Sequence, residues 1–325
     1  MHTRLRTPLF ALACLSCLPA AAEPSVLFVR GADRSGGFLE AGSDAERTEQ
    51  LADINNPSTA RGNHGWFELA TLLRGNGFEV SQVQESVEAG NTSGPTDGVA
   101  VDFGGSVSLD AYDVVVFGSN NARYSRSQVD AVEGFVRSGG GVIFISDANF
   151  GSDWADASDS DQPFLDRFGL VANQDNGTYP LGRAAGDFDL PDHPLLEGVA
   201  AFDGEGVTPI TVADAAGLGV AVEAVASAKG QVRRNAEPFG GRNRGPTTPA
   251  TELDAVLLAA EAGRGRVVGF FDRNTFFNEN GAGTDLTRLD NERLALNVFR
   301  YAAVPEPAAT LLLPGLALLS RRRRG

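Results

Sequence analysis

Cysteine is scarce in this sequence of 325 residues, which has only Cys14 and Cys17. Both lie close to the N-terminus, so the remainder of the chain has no thiol. A body made of residues 23–303 would therefore hold no disulfide, no thiolate nucleophile and no zinc site built from cysteine. Thiol chemistry is excluded as the basis of its function.

Positive charge is also scarce, with 27 Lys and Arg against 42 Asp and Glu and a formal net charge of -15. Six of the basic residues lie at the two ends: Arg4, Arg6 and the run 321–324. Glu306 is the only acidic residue in those ends, so the body is more acidic still. Such a surface repels phosphate backbones, and we expect no nucleic-acid partner.

The N-terminus has the three parts of a secretory signal. Arg4 and Arg6 form a basic start, residues 9–15 begin an apolar stretch, and residues 20–22 are alanines. The apolar run is too short for a membrane-spanning helix. We therefore predict a signal peptide over residues 1–22, which is read by the Sec export machinery and then cleaved.

The C-terminus, residues 304–325, combines Pro305-Glu306-Pro307, an apolar stretch over 308–320 and the basic cluster Arg321, Arg322, Arg323 and Arg324. The apolar stretch is shorter than the roughly 20 residues that a straight spanning helix needs. Arginines after it would remain cytoplasmic and stall export, which predicts a transient membrane hold. A weak permanent tail anchor is the alternative.

This three-part tail resembles the PEP-CTERM sorting signal. The resemblance implies processing by an exosortase-type membrane enzyme. It also implies an exported protein at the cell surface or in the extracellular matrix of a Gram-negative bacterium.

The body contains a strand–helix–strand unit. Residues 113–118 are an apolar run, Ser125 begins a stretch with helical spacing, and three glycines at 139–141 precede the apolar run Val142–Ile145. This order within about 35 residues predicts a right-handed crossover and hence parallel strands. Further predicted elements are strands at 25–30, 78–83 and 220–225, a hairpin of 255–259 with 266–271, and helices at 66–73, 164–168 and 291–303.

The body resembles the class I glutamine amidotransferase-like fold. The residues that carry the resemblance are 112–147, 193–199, and 265–269 followed by 291–299. His193-Pro194 through Gly198 is similar to a turn of trehalose-utilisation-type relatives. The resemblance implies one α/β domain over 23–303. Its sheet would be flavodoxin-like and mostly parallel, with helices on both faces and a C-terminal β-hairpin and helix.

In that family a cysteine nucleophile follows the strand equivalent to Val142–Ile145. Ser146 stands there instead, so the resemblance implies no glutaminase activity. Only two histidines follow the signal, His64 and His193, and one of them would have to act as the base. Ser146 with His193 is the weak catalytic candidate that remains.

Ligands of open parallel sheets bind beyond the carboxyl ends of the strands. The polar residues predicted at these ends, and therefore predicted to bind a ligand, are Arg30, Asp33, His64, Ser119, Asn120, Asn121, Asp147, Asn149, Asp272, Arg273 and Asn274. The alternative is that Asn, Asp and Ser serve these loops as turn and cap residues.

Four aspartates, Asp153, Asp156, Asp159 and Asp161, are weak candidate calcium ligands because hard oxygen donors suit this ion. Their spacing is not that of an EF-hand, and a solvated acidic loop is the favoured alternative. Calcium is the only cofactor that the sequence leaves open.

We therefore predict an exported, surface- or matrix-associated, non-catalytic binding or structural protein, with extracellular polysaccharide as its partner. The alternative is a secreted hydrolase that acts on a carbohydrate or ester through Ser146 or a carboxylate-bound metal. Fold resemblance alone does not decide between them.

Overall fold

The structure, a computed structural model, describes residues 23–31, 51–87, 98–120, 122–146, 156–173, 177–232, 250–281 and 283–304. The predicted signal peptide, residues 1–22, and Pro305, Glu306, Pro307 and Arg321–Arg324 of the tail lie outside these ranges. Among the described residues, no helix is both long enough and apolar enough to span a membrane.

The described chain contains thirteen strands and four α-helices. The strands are β1 (Ser25–Arg30), β2 (Glu79–Gln84), β3 (Ser86–Val87), β4 (Gly98–Val99), β5 (Val114–Phe117), β6 (Gly141–Ile145), β7 (Leu170–Ala172), β8 (Thr178–Gly182), β9 (Ala201–Glu205), β10 (Ile210–Val212), β11 (Val220–Ser227), β12 (Ala255–Ala262) and β13 (Gly265–Phe270). The α-helices are α1 (Phe67–Gly75), α2 (Arg126–Ser138), α3 (Asp156–Leu165) and α4 (Asn291–Ala303).

Five parallel strands form the centre of the main sheet in the order β2-β1-β5-β6-β13. In chain order these are strands 2-1-3-4-5, which is the flavodoxin-like doubly wound order. The chain moves outward from β1 to β2 and then returns past β1 to β5. The order therefore reverses between β1 and β5. The predicted fold class, a mostly parallel α/β sheet, is confirmed.

An antiparallel part extends the sheet beyond β13. β12 pairs antiparallel with β13, β11 and β10 both pair with β12, and β7 pairs with β10. The predicted C-terminal hairpin is confirmed, and its second strand lies inside the sheet against β6. Its turn requires glycine, since Gly263 has φ 66° and a Cβ there would lie 2.5 Å from the Arg137 carbonyl oxygen.

The strands bury apolar side chains on both faces, as parallel sheets require. Val26 and Phe28 of β1 join one core with α1 and α4. Leu27 and Val29 join a second core with α2 and α3. The same alternation continues in β6, where Ile145 belongs to the first core and Phe144 to the second.

The start of α2 follows the sequence prediction. The Ser125 hydroxyl accepts a hydrogen bond from the Gln128 backbone N–H, and the Gln128 side chain accepts one from the Ser125 N–H. This capping box satisfies two N–H groups that the first helical turn leaves unpaired. Gly139, with φ 123°, ends the helix.

α3 differs from the prediction of an acidic loop followed by a short helix at 164–168. The helix begins at Asp156, and a 3-10 turn over Asp166–Phe168 follows it. Ser160, Asp161, Phe164 and Leu165 recur at helical spacing and are all buried. Two polar residues on the buried face hid this periodicity in the sequence.

Candidate functional site

Polar side chains lie at the carboxyl edge of the parallel strands. Arg30 ends β1, Ser119 and Asn120 follow β5, Ser146 follows β6, and Asp272–Asn274 follow β13; all of them are buried. The structure thus brings most of the predicted ligand-binding residues to one edge. Four others, Asp33, Asn121, Asp147 and Asn149, lie outside the described residues.

Two of these residues, Asp272 and Asn274, form hydrogen bonds to neighbouring segments of the protein. The Asp272 carboxylate accepts hydrogen bonds from the backbone N–H groups of Glu205, Asn274 and Thr275 at 3.0, 2.9 and 3.1 Å. The Asn274 amide donates to the Glu205 carbonyl oxygen at 3.1 Å. They fix β9 against the turn after β13, which is the cap-and-turn alternative.

Arg30 and His64 also have structural contacts. Arg30 Nε donates to the Leu51 carbonyl oxygen at 3.0 Å, and its Nη1 lies 3.8 Å from a carboxylate oxygen of Asp53. The His64 ring packs edge-on against Phe277 with 5.0 Å between ring centroids. Both residues therefore position the segment that runs from Leu51 into α1.

Ser119 joins the two strands between which the order reverses. Its hydroxyl accepts a hydrogen bond from the Gly31 N–H at 3.3 Å, directly beyond β1. In flavodoxin-like sheets the ligand crevice opens at this reversal point. The residues next to Ser119 are therefore where a ligand is expected.

Five buried side chains next to this point form what we call the edge cluster: Asn120, Ser146, Ser160, Asp161 and Arg273. Their exposed fractions are 0%, 1%, 3%, 1% and 1%, respectively. The Asn120 amide donates to the Ser160 hydroxyl at 2.9 Å, and that hydroxyl donates to the Ala122 carbonyl oxygen at 2.7 Å. Arg273 Nη1 donates to the Gly118 carbonyl oxygen at 3.2 Å.

The register of the sheet places Ser146 on the same side as α3. Phe144 of β6 lies in the core that contains Phe164 of α3, and Ile145 lies in the opposite core. Strand side chains alternate, so the next residue, Ser146, returns to the α3 face. Its backbone N–H is fixed by a hydrogen bond to the Phe270 carbonyl oxygen at 2.9 Å.

Burial raises the pKa of Asp161 from 3.8 to about 7, even though a hydrogen bond with Asn120 and the charge of Arg273 act in the opposite direction. Removing a carboxylate from water disfavours its charged form, and here this effect exceeds the two stabilising contacts. A carboxyl group that titrates near neutral pH within a crevice marks a candidate functional site.

Three acceptor or hydroxyl atoms of the edge cluster, Asn120 Oδ1, Ser146 Oγ and Asp161 Oδ1, are buried and have no hydrogen-bond partner within the described part of the chain. Each unmet polar atom costs about 1–3 kcal/mol. Unmet polar atoms are rare in protein interiors, so these three need an explanation that the described residues do not provide.

The structure does not bring Ser146 and His193 together, because the two residues lie at opposite ends of the strands. The His193 ring packs on Tyr301 with 5.3 Å between centroids, and the Tyr301 carbonyl oxygen accepts from Arg266 at 3.0 Å. Arg266 is in register with Gly141, the first residue of β6, whereas Ser146 follows its last. Five strand residues span roughly 16 Å.

His193 is instead a cap. Its Nδ1 accepts the Leu195 N–H at 3.1 Å at the start of the 3-10 turn Pro194–Leu196. Burial lowers its pKa; Glu223, whose carboxylate is 3.5 Å from Nε2, acts in the opposite direction, and the charge of Arg266 adds to the lowering.

Ser146 also lacks the other features of an activated nucleophile. Because its hydroxyl has no partner in the described chain, neither His64 nor any other described base lies within hydrogen-bond distance. Ser146 is not among the described non-glycine residues with positive φ, so the strained turn of a nucleophile elbow is missing at this position.

The described residues contain no group of three or more His, Cys, Asp or Glu side chains that could hold a metal ion. Among the candidate calcium ligands, Asp153 lies outside the described residues, while Asp156 and Asp159 belong to α3. Asp161 points into the edge cluster, where Arg273 already supplies positive charge. The predicted acidic loop is a helix in this part, so a calcium site stays a prediction.

Sequence reasoning did not assign Ser160 or Asp161 to this edge, and it overlooked Glu85 after β2. Glu85 Oε1 accepts from the Tyr124 hydroxyl at 2.6 Å, and Oε2 accepts from the Ala122 N–H at 3.0 Å. This buried pair holds the segment that follows Asn120. The spacing of residues 160, 161, 164, 165 and 168 was the signal for the first two.

A groove of about 560 Å³ lies between α2 and α3 on the same face of the sheet. Its lining residues are Tyr124, Arg126, Val129, Glu133, Pro163, Asp166, Arg167 and Leu218. Tyr124 also borders the edge cluster, because the charge of Asp161 is one of the minor contributions that raise the Tyr124 pKa, after burial and Glu85. The groove is thus open surface next to the cluster.

No protein-family model matches this sequence, and no curated protein sequence matches it. Among solved structures, a cytoplasmic protein from Salmonella typhimurium is similar at a TM-score of 0.48 and 13% identity, covering 87% of this chain and 100% of that one. A ThuA-like protein from Parabacteroides merdae is similar at a TM-score of 0.47 and 12% identity, covering 86% and 90%. One from Bacteroides uniformis gives 0.41 and 14%, covering 88% and 95%.

Proposed function

We propose that this chain is an exported protein of the Gram-negative cell surface or extracellular matrix that binds a polar ligand without transforming it. The edge cluster supports binding, because three buried polar atoms there lack a partner in the described chain. They lie where a doubly wound sheet holds its ligand. The two ends of the sequence support export and retention outside the cell.

Extracellular polysaccharide is the partner that we propose. A sugar polymer presents many hydroxyl donors, and two of the unmet atoms, Asn120 Oδ1 and Asp161 Oδ1, are acceptors. The groove between α2 and α3 offers open surface for the rest of such a polymer. The net charge of -15 disfavours a strongly anionic polymer and nucleic acid alike.

The proposed maturation uses the Sec machinery at the N-terminus and an exosortase-type enzyme at the tail, with a transient membrane hold between the two steps. Expression in a host that carries an exosortase, followed by intact mass measurement of the released protein, tests this. The expected product lacks residues 1–22 and most of 304–325. A matched variant with Arg321–Arg324 changed to Ser should pass the membrane without being held. Retention of the complete tail in the wild-type product would contradict the proposal.

Binding is tested by placing the mature protein on a glycan array, with calcium and with a chelator. Selective binding to one or more polysaccharides supports the proposal, and loss of that binding in chelator would establish calcium as the cofactor. Equal binding in both conditions would show that the protein binds the polysaccharide without calcium. Binding to no glycan in either condition would contradict the choice of partner.

The hydrolase alternative is tested in parallel with generic esterase and glycosidase substrates. The unpartnered Ser146 hydroxyl and the distant His193 give no support to catalysis. Turnover by the wild-type protein that disappears in the Ser146→Ala variant would replace the binding proposal with an enzymatic one.

A further inference from the structure

We infer that the edge cluster takes an uncharged ligand group with two neighbouring hydroxyls, as on a neutral sugar ring, and that Asp161 determines this choice. The inference rests on the proposed binding function and names the kind of ligand group that the same site accepts.

Two unmet atoms of the edge cluster are hydrogen-bond acceptors, so a ligand has to donate hydrogen bonds to them. Asn120 Oδ1 accepts only, and Asp161 Oδ1 accepts only while the carboxyl group is ionised. The Asn120 amide is already used by Ser160. Two adjacent ligand hydroxyls supply a donor to each acceptor, which a group without hydrogens to donate cannot do.

Ser146 completes the set because a hydroxyl can both donate and accept. Its side chain lies on the α3 side of β6, and its oxygen has no partner in the described chain. A ligand hydroxyl that donates to Asp161 still has lone pairs free, and Ser146 can donate to them. The three unmet atoms thus match the donor and acceptor capacity of a diol.

The charges of the cluster disfavour a charged ligand group. Asp161 is the buried carboxylate and Arg273, which is 1% exposed, interacts with it electrostatically. Charge interactions strengthen where water is excluded, so Asp161 repels an anion and Arg273 repels a cation. With opposite charges already present, a neutral group enters at the lowest electrostatic cost.

The buried charge of Asp161 has a free-energy cost that a purely structural site would avoid. An asparagine at position 161 would keep the shape of the side chain without a buried charge, yet the sequence has a carboxylate there. Groups whose ionisation is disfavoured by burial concentrate at functional sites. Their removal typically stabilises a protein while its function is lost.

The test uses the mature full-length protein at pH 8, where Asp161 carries its charge. The probes are D-glucose, D-galactose and D-mannose as neutral diols, D-glucuronate as an anion and D-glucosamine, with its amine trimethylated to keep the charge at pH 8, as a cation. Affinity is measured by calorimetric titration for the wild type, Asp161→Asn and Ser146→Ala. Ser138→Ala is the matched control, since that hydroxyl bonds the Phe135 carbonyl oxygen at the other end of α2.

We expect at least one neutral sugar to bind more tightly than both charged probes, with a loss of about tenfold or more in Asp161→Asn and in Ser146→Ala. The control should bind like the wild type. Thermal unfolding at pH 8 gives a second readout, because Asp161→Asn should be more stable than the wild type while binding less.

Two outcomes would overturn the inference while the proposed function remains: tighter binding of glucuronate or glucosamine, or unchanged sugar affinity in both variants of a protein that binds a polysaccharide. Polysaccharide binding without binding of any neutral sugar would have the same meaning. Absence of binding to every sugar and every polysaccharide would overturn the proposed function together with the inference.

Discussion

Two buried aspartates of this protein, Asp203 and Asp161, have opposite surroundings. Asp203 is 4% exposed; its Oδ1 accepts from Thr284 at 2.5 Å and Asn291 at 3.2 Å, and its Oδ2 is 2.9 Å from Arg288. Asp161 is 1% exposed and keeps an oxygen with no partner in the described chain. The first carboxylate is fully paired and holds β9 to α4, whereas the second is the one that we propose binds a ligand.

On our proposal, this difference separates a structural from a functional buried charge. A paired carboxylate contributes stability only through its partners, which were selected with it. An incompletely paired one has to be explained by something that the fold itself does not supply. Asp161 lies in α3 and Asp203 lies in β9. The sequence alone does not distinguish the surroundings of the two carboxylates, so substitution experiments are used to test the contrast.

The largest expected effect is at the paired site. Asp203→Ala should lower the free energy of unfolding by about 3–5 kcal/mol, because Arg288, Asn291 and Thr284 lose their common acceptor. Urea unfolding followed by circular dichroism measures this. A loss below about 1 kcal/mol would mean that the network around Asp203 is not structural and would break the comparison.

The Asp161→Asn substitution should have the opposite sign. The Asp161 pKa of about 7 is above its unfolded value of 3.8. The native state therefore holds this proton more tightly than the unfolded state does. The corresponding stability is full below pH 3.8 and is lost as the pH rises through 7.

At pH 8 the variant avoids a buried charge and should be more stable by roughly 2 kcal/mol. This gain is smaller than the full difference between the folded and unfolded pKa values of Asp161 would give. Near pH 4 the gain should vanish, because the wild-type side chain is then neutral in both states. Thermal unfolding across this pH range measures it. A variant that is less stable than the wild type at pH 8 would show that Asp161 is a structural residue.

The smallest expected effects compare two serines of the edge cluster. Ser160→Ala should cost about 1–2 kcal/mol, since it removes the bridge between Asn120 and the Ala122 carbonyl. Ser146→Ala removes a buried hydroxyl without a described partner and should raise the free energy of unfolding by about 1 kcal/mol. Urea titration of both variants in parallel measures the contrast. Equal losses would indicate that Ser146 has an unrecognised structural partner.

The sheet centre followed from local patterns. Apolar runs predicted β1, β5, β6 and the β12–β13 hairpin, and the Ser125 cap predicted the start of α2. The short strands β7 to β10 were missed for two reasons. β7 and β10 have only three residues each, and β8 and β9 contain glycine, proline or aspartate, so none shows a clear alternation. Their strand conformation comes from pairing with a neighbour in space.

The site was predictable in part, since the carboxyl ends of predicted parallel strands must meet at one edge. Arg30, Ser119, Asn120 and Arg273 were placed there correctly. Their separation into residues that brace the fold and residues with unmet atoms was not predictable, because it depends on which partner each atom finds. For the same reason, sequence order gave no measure of the distance between Ser146 and His193.

The sequence by itself determined the α/β class, the absence of thiol chemistry in the body and the processing signals that we propose at its ends, because composition and local periodicity carry this information. Tertiary structure alone decided that Asp161 is buried beside Asn120 and Arg273, and that His193 lies at the far edge. Burial and hydrogen-bond partnership are properties of neighbours distant in the chain. The sequence therefore does not show whether every oxygen of a buried carboxylate has a hydrogen-bond donor in the folded protein.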